Sequence, residues 1–128
     1  MSGLDYLLDT NVVIGVLGRN PNVLELISQH HVNFDRCGYS AISRMELLSF
    51  HGLTDESKHA IQLLLDRMHY LPINGDVETS CIAFRSMQKG KLPDAIIAAT
   101  SLVYELKLLT LDKGLVNKLS QFQPQLSI

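Results

Sequence analysis

Cysteine is scarce in this chain: Cys37 and Cys81 stand alone among 128 residues, with no C-x-x-C pair and no histidine nearby at ligand spacing. That excludes a disulfide framework and a structural zinc site, and two free thiols are expected. Glycine (8) and proline (4) are also few, and no repeat, linker or low-complexity tract occurs. Disordered and collagenous chains are therefore excluded. An excess of one charge is missing as well. The net charge is −2 and the pI is near 6.2, so there is no global electrostatic funnel for nucleic acid, and any contact with RNA or DNA must be local. The opening MSGLDYLLDTNVVIGVL has no basic stretch and carries two Asp inside its apolar run. Neither a signal peptide nor a membrane span is expected from it, and the expected location is the cytoplasm. None of the five histidines falls in an H-x-x-x-H or H-E-x-x-H pattern, so they read as surface or partly packed side chains.

What is present is aliphatic. Hydrophobic residues make up 46% and charged residues 19%, and a chain of this length buries roughly 65 to 70% of its unfolded surface. One domain spanning 1–128 is expected. Leu4 to Leu8 reads as a first strand, and the polar cluster Asp9-Thr10-Asn11 suits a strand end and a helix cap. Val12 to Leu17 and a stretch from Pro21 to about His31 form a helical pair. Val32 to Tyr39 has strand spacing, and Ser-rich SAIS opens the helix carrying MELLSF. Ile61, Leu64, Leu65 and Met68 mark an amphipathic helix over 55–68, followed by a brief strand at YLPI. Residues 76–88 are helical again. Leu92, Ala95, Ile96, Ala99, Leu102, Val103 and Leu106 form one apolar stripe, which is core packing. Lys107 to Thr110 reads as a strand, Asp112 begins a short last helix, and Gln125 to Ile128 is expected as an edge strand. Strands alternating with helices predict an α/β fold with a parallel sheet covered on both faces.

In such a sheet, ligands bind beyond the carboxyl ends of the strands. Asp9 closes the first strand, Asp112 follows the strand KLLT, Glu46 lies in the helix after the second strand, and Asp94 sits one turn into a helix laid on the sheet. Carboxylates gathered together repel and raise one another's pKa unless a cation sits among them. The set therefore implies a metal, and all-oxygen ligation suits Mg²⁺ or Mn²⁺. Phosphodiester hydrolysis follows as a candidate, because one or two such ions can lower the pKa of a bound water and stabilise the leaving oxygen. Each acid also has a plain alternative. Asp9 is a good N-cap, Ser43 and Glu46 make an S-x-x-E capping box, Asp94 after Pro93 matches a helix start, and Asp112 suits a turn. Those alternatives stand open on the local sequence alone.

Taken together, LLDTNVVI at 7–14, SAISRMELL at 40–48, LPDAIIAAT at 92–100 and LLTLDKGL at 108–115 resemble a PIN domain, specifically the ribonuclease toxin of a VapBC-type toxin-antitoxin pair. The D-T-N and D-A-I-I-A-A-T blocks carry most of the resemblance, and S-x-x-x-x-x-E alone is weak. It implies a three-layer α/β/α fold with a central parallel sheet, and a Mg²⁺- or Mn²⁺-dependent endoribonuclease acting on single-stranded regions of structured RNA. Asp9, Glu46, Asp94 and Asp112 fall on the family's acidic positions, as catalytic and metal-binding residues, with Asn11 and Thr110 on supporting polar ones. Arg44, Lys91 and Lys113 are the cations expected near RNA phosphates, although charge mixing on a solvated surface accounts for each alone. A small antitoxin whose tail lies in a groove between helices, and a homodimer, complete what the resemblance implies. The helices holding VVIGVL and VLELI offer apolar surface for either contact. One departure is visible: many members carry a further Asp and then an aromatic after Asp112, where this chain has Gly114 and Leu115, which bears on the ligands of a second ion.

Two other acid-bearing folds are excluded. A phosphoacceptor domain needs an acid pair after the first strand and an Asp after the third, where YLPINGD offers only Asp76, and a D-x-D phosphatase needs an acid where Asn11 stands. The competitor from a different class is a PIN-like module that has lost turnover and only binds RNA or protein, for which Gly114 is the one feature.

Overall fold

A computed structural model describes residues 3–126, and its elements alternate as the sequence does. Strand β1 (Tyr6–Leu8) passes through Asp9 into α1 (Thr10–Leu17), and α2 (Pro21–Gln29) follows with Pro21 at its start and the Asn20 side chain capping it. Strand β2 (Cys37–Ser40) leads into α3 (Ala41–Leu48) and α4 (Asp55–Arg67). Then come β3 (His69–Leu71), α5 (Gly75–Met87), α6 (Leu92–Val103), β4 (Lys107–Leu109) and α7 (Lys113–Leu126).

The four strands pair in the order β3-β2-β1-β4, all parallel. From β1 to β3 the chain steps steadily in one direction, and β4 then returns to the free side of β1. The winding therefore reverses between β1 and β4, where the carboxyl ends of neighbouring strands splay open. Successive side chains of a strand point to opposite faces, and β1 shows the consequence. Leu7 joins a core with Val77, Phe84, Ile97, Leu119 and Phe122 from α5, α6 and α7. Leu8 joins a second core with Val12, Val23, Leu47 and Leu65 from α1 to α4. Both leucines are 0% exposed, and each such side chain contributes about 1.5 to 3 kcal/mol on burial. This is a three-layer α/β/α arrangement. Two glycines allow its closest approaches: any Cβ at Gly15 would collide with Val23 where α1 meets α2, and one at Gly38 would lie 2.5 Å from Leu71 Cδ1.

Two sequence expectations need correction. The last helix is not short: α7 runs for 14 residues and takes up Gln125 and Leu126, so no edge strand forms there, and residues 127–128 lie outside the described part. The reason is a helical stripe, Leu115, Leu119 and Phe122, all buried, with the Phe122 ring 5.2 Å from that of Phe84. Strand β2 begins at Cys37 rather than Val32, because Asn33 caps a single 3₁₀ turn at Phe34–Arg36 just before it.

Candidate active site

Asp9 follows β1 and Thr110 to Asp112 follow β4, so the two strands flanking the reversal deliver these residues to one place. Asp9 is 8% exposed and its carboxylate is held from both sides. Its Oδ1 accepts from the Thr10 amide at 2.7 Å, and its Oδ2 accepts from the Thr110 hydroxyl at 2.7 Å. Thr110 Oγ1 in turn accepts from Asn11 Nδ2 at 3.3 Å and from the Asp112 amide at 3.0 Å. Asn11 Oδ1 accepts from the Leu111 amide at 3.2 Å. The D-T-N segment and the loop after β4 are thus tied together, with Asp9 at the knot. The helix-cap reading of Asp9 is also correct, since it is the N-cap of α1, and the second oxygen is what the cap leaves over for the cleft.

Glu46 reaches the same place from α3. The capping box expected of Ser43 does not form, because Ser40 is the N-cap, its Oγ accepting from the Ile42 amide at 3.0 Å. That places Ser43 and Glu46 inside the helix on the face toward α1. Thr10 Oγ1 donates to Glu46 Oε1 at 2.6 Å and shares a second hydrogen bond with Ser43 Oγ at 2.8 Å. Ser40 is fully buried, so Ser40→Ala should cost about 1 kcal/mol of unfolding free energy, read as a lower denaturant midpoint at unchanged slope. An unchanged midpoint would show that the cap does not hold α3.

Asp94 stands in the first turn of α6, where Pro93 sets the start and the positive helix end accepts a carboxylate. All four acids line one cleft of about 550 Å³, with Thr10 and Asn11 on its wall and Ser49, Phe50 and His51 at the turn after α3. Burial raises the Asp9 pKa above the ordinary carboxylate range. The Thr110 and Thr10 hydrogen bonds oppose this, and the charges of Asp94 and Glu46 add to it. Asp94 is raised by burial first and then by Asp112, while Lys91 and Lys118 pull it back. The acids therefore act on one another across the cleft.

Among the described residues, no three His, Cys, Asp or Glu side chains are grouped so that they could hold a metal ion as they stand. Their hydrogen bonds account for this: Glu46 is turned to Thr10, and Asp112 Oδ1 accepts from the Leu115 amide at 3.0 Å as the cap of α7. Glu46 and Asp112 are exposed and each held by a single element, while Asp9 is buried and held from both sides. Four carboxylates whose oxygens each keep a spare lone pair fit a hard cation. Removing the hydroxyl that orients Asp9 should matter accordingly. If the cleft takes Mn²⁺, Thr110→Val should weaken that binding about 10- to 100-fold, measured by calorimetric titration, and an unaltered affinity would separate Asp9 from any ligand set.

Of the expected cations, Lys91 lines a narrow slot that adjoins the cleft through Asp94 and Asp112, whereas Arg44 and Lys113 line neither, and Arg44 acts on Tyr39. Thr10 and Ser43, which position Glu46, were not recognisable as site residues, nor were Phe50 and His51. Their only trace in the sequence is a polar residue directly after Asp9 and a serine one helical turn before Glu46. Thr100 is structural, donating to the Ile96 carbonyl at 2.7 Å. Gly114 has a local role: a Cβ there would lie 3.2 Å from Asp112 Oδ1, so the glycine leaves room for that carboxylate as it caps α7.

A parallel α/β sheet with carboxylates at its winding reversal places them where ligands bind in such folds. The chain belongs to the PIN-domain family, whose model matches residues 6–118. Among solved structures it is similar to a toxin-antitoxin complex from Klebsiella pneumoniae, at 26% identity and a TM-score of 0.69, over 84% of this chain and 87% of that one. FitAcB from Neisseria gonorrhoeae is similar at 23% identity and a TM-score of 0.71, over 90% and 93%. VapBC2 from Rickettsia felis, bound to a DNA fragment from its promoter, is similar at 19% identity and a TM-score of 0.68, over 85% and 89%. Comparison with curated proteins returns no match. No helix among the described residues is long and apolar enough to cross a membrane.

Proposed function

We propose that this chain is a divalent-metal-dependent endoribonuclease and the toxin of a toxin-antitoxin pair. The observation that carries the reading is the convergence of Asp9, Glu46, Asp94 and Asp112 on one cleft at the winding reversal. Asp9, which the charges of Asp94 and Glu46 push up, and Asp94, which Asp112 and Glu46 push up, are with Glu46 and Asp112 the residues that would hold Mg²⁺ or Mn²⁺. When bound, such an ion supplies a water of lowered pKa and offsets charge on the phosphate oxygens during hydrolysis. The chain's own part is placement. Thr110 and the Thr10 amide lock the Asp9 carboxylate, the Thr10 hydroxyl and Ser43 set Glu46, and helix packing fixes Asp94.

The antitoxin reading is supported by a second groove of about 340 Å³, walled by Ile14 and Leu17 of α1, Leu47 of α3, and Ala60 and Ile61 of α4. It runs into the acidic cleft, since Ile14 and Phe50 line both. A segment lying there would reach the acids, and a basic side chain at its end would find a counter-charge. Pairing of two copies belongs to the same proposal. Incubating the purified protein with single-stranded RNA and Mg²⁺ or Mn²⁺, then with EDTA, tests the whole. Cutting that EDTA abolishes supports the nuclease, and binding without cutting under every metal condition replaces it with a binding module.

A further inference from the structure

Next to the acidic cleft lies a tighter slot of about 60 Å³ between the end of α5, the loop 88–91 and α7. Asp94 and Asp112 line both it and the cleft, and four cations line it as well: Arg85, Lys89, Lys91 and Lys118. Two sequence-distant segments contribute them: the end of α5 with the loop that follows it, and α7. Among the described residues none of the four makes an ion pair, the only two pairs being Arg36 with Asp5 and Arg67 with Asp35. Lys118 is half-buried and its ammonium lies beside Gly90, where a Cβ would come within 3.4 Å of Nζ. The glycine thus keeps the loop backbone open at the point the ammonium faces. Like charges lining one slot repel, and an incoming anion relieves the repulsion.

The geometry points to a second phosphate subsite: the slot of Arg85, Lys89, Lys91 and Lys118 holds the backbone phosphate next to the one placed at the four acids. The inference rests on the nuclease reading for its RNA, while the anion site itself does not. A strand crossing from slot to cleft would present one phosphate to fixed cations and its neighbour to the carboxylates. In a chain with net charge −2, this is the local basic surface that nucleic-acid binding requires. A guanidinium can take two phosphate oxygens at once, and the lysines act as point charges. The alternative role for these cations is only to offset the charges of Asp94 and Asp112.

Inorganic phosphate separates the two roles without any cleavage. Titrated into EDTA-treated protein and followed by amide shifts, it should move Gly90 and Lys118, and Arg85→Gln should weaken that response several-fold. Arg85 is exposed, so this variant should fold normally. Shifts absent at Gly90 and Lys118, or unchanged in Arg85→Gln, would overturn the subsite whatever the nuclease activity. With RNA, measured by fluorescence polarisation in the Asp94→Asn background, the double variant Arg85→Gln, Lys118→Gln should lower the slope of log K against log salt by about 1.4, at about 0.7 per lost contact. Arg44→Gln, Lys113→Gln should leave it unchanged. Equal slopes in the two doubles would overturn the subsite while wild-type cleavage left the nuclease reading standing. Phosphate shifts in a wild type that never cuts RNA would keep the subsite and remove the nuclease.

Discussion

Asp94→Asn should lower metal-dependent RNA cleavage roughly 100- to 1,000-fold, on the scale of losing one preorganised electrostatic contact, while leaving the protein folded. Asn has nearly the shape of Asp, so the turn led by Pro93 and the buried face of Ala95, Ala98 and Ala99 keep their packing. What goes is one negative charge among four. The lost favour of an anion at the helix start costs about 0.3 to 1 kcal/mol, and relief of repulsion from Asp112 and Glu46 offsets it. Thermal denaturation of the EDTA-treated variant should therefore match or exceed wild type. RNA binding should persist, because the cations of the adjoining slot are untouched. A folded Asp94→Asn protein that cuts at the wild-type rate would take Asp94 out of the mechanism. A wild type that never cuts would leave the acids as a structural or binding feature.

This variant also shows what a single stretch can and cannot tell. Within KLPDAIIAAT, Asp94 is an ordinary helix-start residue, and the structure keeps it as one. Its other role depends on residues far along the chain. The position of Asp9 and Asp112 was legible because strand ends in a parallel sheet fall at one edge, and the strand–helix alternation showed where those ends are. Glu46 was legible only as one of two options: the choice between a capping box and a cleft-facing acid turned on whether α3 starts at Ser40 or Ser43. Three residues of helix phase decide which way the carboxylate points, and Thr10, 36 positions away, then holds it there. Of the slot cations only Lys91 was legible, as a neighbour of Asp94. Lys118 meets the loop at Gly90 only because Leu115, Leu119 and Phe122 seat α7 against α5, and the sequence reading ended that helix early. Arg44 and Lys113 were linked to the site because they neighbour acids in sequence, yet adjacent helical residues point in different directions.

A divalent ion should stabilise this protein at neutral pH and do so less in acid. Both site acids with raised pKa, Asp9 and Asp94, hold protons in the folded chain over a window in which the unfolded chain, with aspartate near 3.9, has already lost them. Proton release then favours unfolding: for the ion-free protein their contribution to stability is complete below about pH 4 and falls as pH rises through their raised values. As they lose those protons, their repulsion with the neighbouring carboxylates grows. The exposed Asp5–Arg36 pair acts in the opposite sense, since Asp5 is lowered, but a surface pair of this kind counts for little. An ion that binds only the folded state at about 100 times its Kd adds about 2.7 kcal/mol, which for a chain of this length is about 10 °C in Tm. Because carboxylates must be deprotonated to ligate, the gain should shrink toward pH 4. It should be much smaller in Asp94→Asn at any pH. Thermal melts at millimolar Mn²⁺ against EDTA, in wild type and variant across this range, measure all three trends. A wild-type melting point that Mn²⁺ leaves unmoved at pH 7 would mean that Asp9, Glu46, Asp94 and Asp112 share a cleft without sharing an ion. The raised pKa values would then be a cost of the fold, with no bound cation to offset it.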